Sequence, residues 1–175
     1  MRMIKRLVVI TGITLSIGFA VLLIHGQQQH DMDGSMSQKQ MDEMNKRGNE
    51  AMGFDQAKTT HHFRLAKDGG SIEVQANDAN DQASRDQIRQ HLRHITTMFT
   101  DGNFEAPMLI HAQNPPGAEA MQKLKADISY KFKQLENGAS IKISTSNVEA
   151  LQAVHEFLRF QIEEHKTGDP LEWPK

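Results

Sequence analysis

Histidine and methionine carry most of the chemistry open to this chain. Nine histidines and ten methionines accompany no cysteine at all, which excludes disulfides, zinc-thiolate sites, iron-sulfur clusters and a cysteine nucleophile. A metal would be held by imidazole, thioether, carboxylate or backbone groups. Thioethers suit Cu(I) and imidazoles suit Cu(II) and other borderline metals, so copper is the expected ion. His91, His94 and Met98 stand at i, i+3 and i+7, along one side of a helix. His61 has the strand parity of Phe63 and is expected to face that helix, with His62 facing away. Together His61, His91 and His94 form a three-imidazole candidate site with an open position, completed by Met98 or Met108 and joined by His111. A second reading stays open, in which these rings pack and their nitrogens are satisfied by hydrogen bonds. Weaker candidates are His30, Met32, Met36, Met41 and Met44, irregularly spaced in a polar stretch.

Catalytic signatures are missing. The chain has no GxSxG elbow, no HExxH, no phosphate loop and no GxGxxG, so no catalytic residue is assigned. An enzyme reading would rest on His61, His62 and His111 as acid-base groups beside Arg64 or Arg93. His155 and His165 lie among Glu156, Glu163 and Glu164, a pattern expected of a solvated helix face.

Two matching hairpin patterns position these side chains. Phe63 to Val74 and Phe132 to Ile143 both read as strand, Asp-Gly or Asn-Gly turn, strand. A helix is predicted after each. Ser84-x-x-Gln87 is a capping-box pattern ahead of Ile88, Leu92, Ile95 and Phe99; Ser146-x-x-Glu149 precedes Leu151, Val154, Leu158 and Ile162. After a three-residue deletion, His91-Leu92-Arg93-His94 aligns with Phe157-Leu158-Arg159-Phe160. The pattern predicts an internal repeat over about 61–99 and 130–166 in an α+β domain, with an antiparallel sheet and helices on one face. Between the units, Met108 to His111 reads as a short strand, Asn114 to Gly117 as a turn or helix start, and Met121, Leu124 and Ile128 as a short amphipathic helix.

The remaining segments set the compartment. Met1, Arg2, Lys5 and Arg6 precede an uncharged run from Leu7 to Ile24, the pattern of an export signal. The length of that run is also near the lower limit of a membrane span. Residues 1–26 are therefore expected to be either a cleaved signal peptide or a retained anchor, and the rest to be periplasmic or otherwise extracytoplasmic. Residues 27–53 read as a flexible tether with room for a helical turn near Gln38 to Asn45, 54–169 as the domain and 170–175 as a tail. With 20 basic against 22 acidic residues and no basic stripe, nucleic acid is not an expected partner.

The block Arg47-Gly48, Met52-Gly53-Phe54-Asp55-Gln56, Thr59-Thr60-His61-His62-Phe63, with His91-Leu92-Arg93-His94-Ile95 and Phe157-Leu158-Arg159-Phe160-Gln161, resembles a family of short exported bacterial proteins without an established function. The name aspartate carbamoyltransferase is often attached to them. The carbamoyltransferases proper bind phosphate through a Ser-Thr-Arg-Thr type loop and a His-Pro-x-Gln type motif. Here Ser144-Thr145-Ser146-Asn147 lacks the arginine, and no histidine precedes a proline. The resemblance and the composition together lead to the expectation of an exported binding module for copper or a similar metal, with an envelope scaffold or a small-molecule enzyme as alternatives.

Overall fold

Each of the two helices that follow a hairpin covers the other hairpin. The computed structural model describes residues 37–173; the export segment and His30, Met32 and Met36 lie outside that range. Strands β1 (Thr59–Ala66) and β2 (Gly69–Ala76) form one hairpin, β3 (Ile128–Leu135) and β4 (Gly138–Thr145) the other. They join in a four-stranded antiparallel sheet of order β1-β2-β4-β3. Helix α2 (Gln82–Thr100) lies mainly against β3 and β4, and α5 (Val148–Glu164) mainly against β1 and β2. This is an α+β fold of two strand-strand-helix units, with the helices on one face of the sheet.

Period-two alternation explains which face that is. Ile72, Val74, Ala139, Ile141 and Ile143 are buried beneath the helices, whereas Thr60, Arg64, Lys131, Lys133 and Lys142 stand exposed on the other side. At the centre Ile72 pairs with Ile141, and Val74 with Ala139. The glycines expected inside the hairpin turns are instead the first residues of β2 and β4, behind two-residue loops. Close backbone approach accounts for them. A Cβ on Gly69 would strike the Ile143 carbonyl, and one on Gly138 the Val74 carbonyl.

The helix starts differ from the expected capping boxes. Asp81 caps α2, its carboxylate accepting from the Ser84 N–H (3.0 Å) and hydroxyl (2.8 Å), so Ser84 lies inside the first turn. Asn147, not Ser146, caps α5 by accepting from the N–H groups of Glu149 and Ala150. The stripe Ile88, Leu92, Ile95 and Phe99 is buried as predicted. On α5 the buried face is wider, taking in Ala153 and Phe157, because α4 (Ala118–Lys123) covers a second side; Leu151 is only half-buried.

Two expectations are corrected, the first in extent and the second in kind. Within the predicted tether, Gln38–Met52 form helix α1, opened by a Ser37/Gln40 capping box and closed by Gly53 in the left-handed region. Its apolar face is built of methionine, with Met44 at 1% and Met52 at 9% exposure, and it rests on α3. The predicted strand at Met108–His111 is instead the end of helix α3 (Glu105–His111). Pro107 sits in its first turn, where no N–H is required, and Pro107, Ile110 and His111 are buried with helical rather than alternating spacing. Among the described residues no helix is long and apolar enough to cross a membrane.

Candidate functional site

Four imidazoles meet where α1, α2, α3, α5 and β1 converge. His61 enters from the covered face of β1, as its parity required, and His62 leaves on the other side to meet Asp169 (Nδ1 to Oδ1, 3.0 Å). His91 comes from the flank of the α2 stripe, His111 from the last residue of α3, and His165 from the C-terminal end of α5. The His61 and His165 rings stack 5.6 Å apart and 9° from parallel; His111 stands edge-on to His165 at 5.1 Å. Phe54 backs the group, 6.1 Å from His61 and 5.5 Å from His91.

These rings wall a cavity of about 60 Å³ whose other sides include Met52, Val74, Leu92, Ile110 and Phe157. Burial disfavours charge on every one of them. The His61 imidazolium is pushed down to about 4 by burial and then by His62, and that of His91 to about 4 by burial and then by His61 and His94. His165 is lowered well below the usual range by burial and by His61 and His111, and His111 is lowered chiefly by burial. At neutral pH the cavity is therefore walled by neutral rings.

The polar atoms in this wall are incompletely paired. The side-chain oxygen of Gln161 lies 3.1 Å from His111 Nε2. An amide oxygen only accepts, so Nε2 carries the proton and Nδ1 is left as an acceptor. His111 Nδ1 has no hydrogen bond; the nearest Glu164 oxygen is 3.6 Å away, and burial raises that carboxyl above its ordinary range. Five buried side-chain polar atoms lack a partner among the described residues, and three of them, His61 Nε2, His111 Nδ1 and Gln161 Nε2, belong to residues lining this cavity. Such concentration of unmet hydrogen-bonding capacity is uncommon in a finished core.

The structure thus gathers His61, His91 and His111 and leaves out His94, Met98 and the exposed Met108. His94 is exposed, since α2 turns its Ile88-to-Phe99 stripe inward and carries His94 round to solvent, and Met98 is half-buried against the core away from the cavity. Met44 is core; Met41 borders a neighbouring groove. Among the described residues no three His, Asp or Glu side chains lie close enough together to hold a metal ion. For the acid-base reading, His62 is on the opposite face, Arg64 pairs there with Glu73 (3.1 Å), and Arg93 lies over the Phe132 ring at 4.5 Å.

Sequence reasoning missed His165 and Gln161, and it misjudged His155. His155 is 5% exposed, its Nε2 3.0 Å from the carbonyl oxygens of both Ala66 and Gly69, with Trp173 of the tail against its ring. A signal for the first two was present: the helix alignment, carried one more turn, sets Gln161 opposite Ile95 and His165 opposite Phe99. Comparison of the chain with protein-family models, with curated proteins and with solved structures finds no match.

Proposed function

We propose that this chain is an exported binding module whose ligand is a small uncharged group, apolar along its length and carrying a hydrogen-bond donor and acceptor at its tip. One observation carries the reading: among the described residues, three of the five unpartnered buried polar atoms belong to residues that line a single apolar cavity. His111 Nδ1 asks for a donor and Gln161 Nε2 for an acceptor. The neutral imidazoles offer no charge to hold an anion, and the apolar walls penalise any ion. A cavity of about 60 Å³ suits about four to six non-hydrogen atoms, taking about 10–15 Å³ for one water. Export is supported by the basic head and apolar run of residues 1–24. The two units also suit an internal repeat, since β3 and β4 follow β1 and β2 at one common spacing and Ile72 pairs with its own counterpart Ile141.

The test is a titration of the full-length protein in detergent micelles with propionamide, followed by NMR of the histidine ring protons. Saturable shifts of the His61 and His111 signals are expected with a Kd of about millimolar, and none with propionate. Equal responses to amide and carboxylate, or no response at His61 and His111, would overturn the reading.

Copper binding is a second reading, favoured by the neutrality of the four imidazoles, which need lose no proton to coordinate. It demands that side chains move together to complete a donor set. Titration with Cu(I) and Cu(II) tests it: binding tighter than about micromolar that is lost in His61→Ala/His111→Ala supports it, and unchanged affinity in that variant ends it.

A further inference from the structure

We infer that the group entering the cavity is a glutamine side chain on an extended peptide that adds to the free edge of β1. The inference rests on the cavity being a binding site and names what fills it. Among the described residues, strand β1 is the outermost strand of the sheet and pairs with β2 alone. The Phe63 N–H bonds to the Asp169 carboxylate at 3.0 Å and so faces away from β2. Main-chain groups along an antiparallel strand alternate in direction, so those of His61 and Thr59 face the same way.

They face a groove of about 420 Å³ between β1, α1 and the segment after α5. Asn45 and Asn49 of α1, with Gln56, Thr59, Thr60 and Thr167, give it walls of amides and hydroxyls, joined by Asp55 and Lys166. Amides and hydroxyls match the main chain of a peptide better than a charged head group. Groove and cavity share two residues, His61 and His165, the stacked pair. A peptide strand paired with β1 would therefore stand at the mouth of the cavity.

Register then selects the residue that enters. Residues directly opposite one another in an antiparallel pair send their side chains to the same face. The peptide residue opposite His61 would exchange both main-chain hydrogen bonds with it and point its side chain inward beside it, toward the cavity. Asp169 already occupies the Phe63 N–H, held by His62 and by the Thr167 hydroxyl (2.7 Å), and the Thr59 N–H bonds to the Gln56 carbonyl. The added strand is thereby centred on His61. Among coded side chains of about four to six non-hydrogen atoms, asparagine, glutamine and neutral histidine combine a methylene stem with groups that both donate and accept, and glutamine has the longest apolar stem. Its carbonyl complements Gln161 Nε2 and its amide N–H complements His111 Nδ1. Glutamate would bury an unpaired charge, and leucine would leave both protein atoms unpaired.

The experiment uses full-length protein in detergent micelles and end-blocked fluorescent pentapeptides, Thr-Val-Gln-Val-Thr and its variants with Leu, Glu or N-methyl-Gln at the centre, read by fluorescence anisotropy. The Gln peptide is expected to bind about tenfold more tightly than the Leu or N-methyl-Gln peptide and about a hundredfold more tightly than the Glu peptide. Gln161→Met should erase the preference for Gln over Leu. If N-methylation has no effect, or the Gln peptide binds no better than the Leu peptide to the unaltered protein, the inference is wrong. Propionamide separates the failures: propionamide shifts without peptide binding leave the cavity reading standing, and silence from both ends it as well.

Discussion

Phe99 of α2 and Tyr130 of β3 place their rings 5.8 Å apart; His165, which caps the C-terminus of α5, and His61 of β1 stand 5.6 Å apart. The pairs occupy corresponding positions of the two units, His61 aligning with Tyr130 in the strands and Phe99 with His165 in the helices. Crossed coverage brings both about, because α2 lies on the second hairpin and α5 on the first. What surrounds each pair differs. Phe99 is closed in by Phe104 at 4.5 Å and Phe157 at 5.8 Å, and the only unpartnered atom in that group is the Tyr130 hydroxyl. His165 meets His111 and Phe63, with Gln161 standing where the other helix has Ile95. One scaffold thus closes aromatic rings around the first pair and leaves a cavity beside the second, a cavity whose far wall Phe99 and Phe157 complete, and most of the unmet hydrogen bonds belong to residues of that cavity.

The largest expected contrast is in stability. Phe99→Ala should cost about 3–5 kcal/mol, because the ring is 2% exposed and clasped by three aromatic neighbours whose contacts would be lost to a cavity. His165→Ala removes a smaller and more polar ring, with less apolar surface to lose, and should cost about 1–2 kcal/mol. Urea unfolding of both variants at neutral pH measures the difference; equal losses would mean that the two pairs are packed alike.

Acid separates the pairs next. An imidazole with an ordinary value of 6.5 in the unfolded chain takes up its proton there before His61 or His91 does in the folded protein, where both are pushed down to about 4. Stability from burying these rings neutral is full above pH 6.5, declines as pH falls from 6.5 toward 4, and levels off below. Each is worth roughly 3 kcal/mol across that window. The Phe99 and Tyr130 pair contributes nothing there, since burial moves the phenol upward, into the alkaline range. His61→Phe/His91→Phe should flatten the acid limb of stability against pH, measured by urea unfolding from pH 7 to 4. A limb unchanged in slope would place the sensitive groups elsewhere.

Legibility in the sequence follows the same division. Strand alternation in Ile72, Val74, Ile141 and Ile143 and the helical stripe from Ile88 to Phe99 are local patterns, so the hairpins, the helices and the buried face can be read directly. The site can be read in part. Strand parity places His61 and the helix places His91, while His94, one turn on, falls outside because helical rotation carries it past the edge of the buried stripe. Helix α1 shows only as a turn near Gln38 to Asn45 because its core contacts are methionines, which resemble tether composition, and α3 is hidden because a Pro-Met-Leu-Ile-His run fits a strand as well as a helix. His165 is masked by the neighbouring Glu163 and Glu164; its partner across the fold, not its neighbours in sequence, decides its burial.

The smallest effect is the most specific. Tyr130 and His61 each bury a polar atom without a partner, the phenol oxygen and Nε2, at corresponding positions of the two units. An unmet buried group costs stability wherever it sits, so Tyr130→Phe should gain about 0.5–1 kcal/mol by removing the hydroxyl while keeping the ring against Phe99. His61→Phe should gain a similar amount for the same reason. Only the second should change recognition: the propionamide response should vanish in His61→Phe and persist in Tyr130→Phe. If Tyr130→Phe instead loses about 1 kcal/mol in urea unfolding, the hydroxyl is satisfied by solvent, and the aromatic pair is open to water as the histidine pair is. If it alone abolishes the propionamide response, the ligand sits beside the aromatic pair, and the imidazoles are core residues in the sense that the alignment of His91 with Phe157 implies.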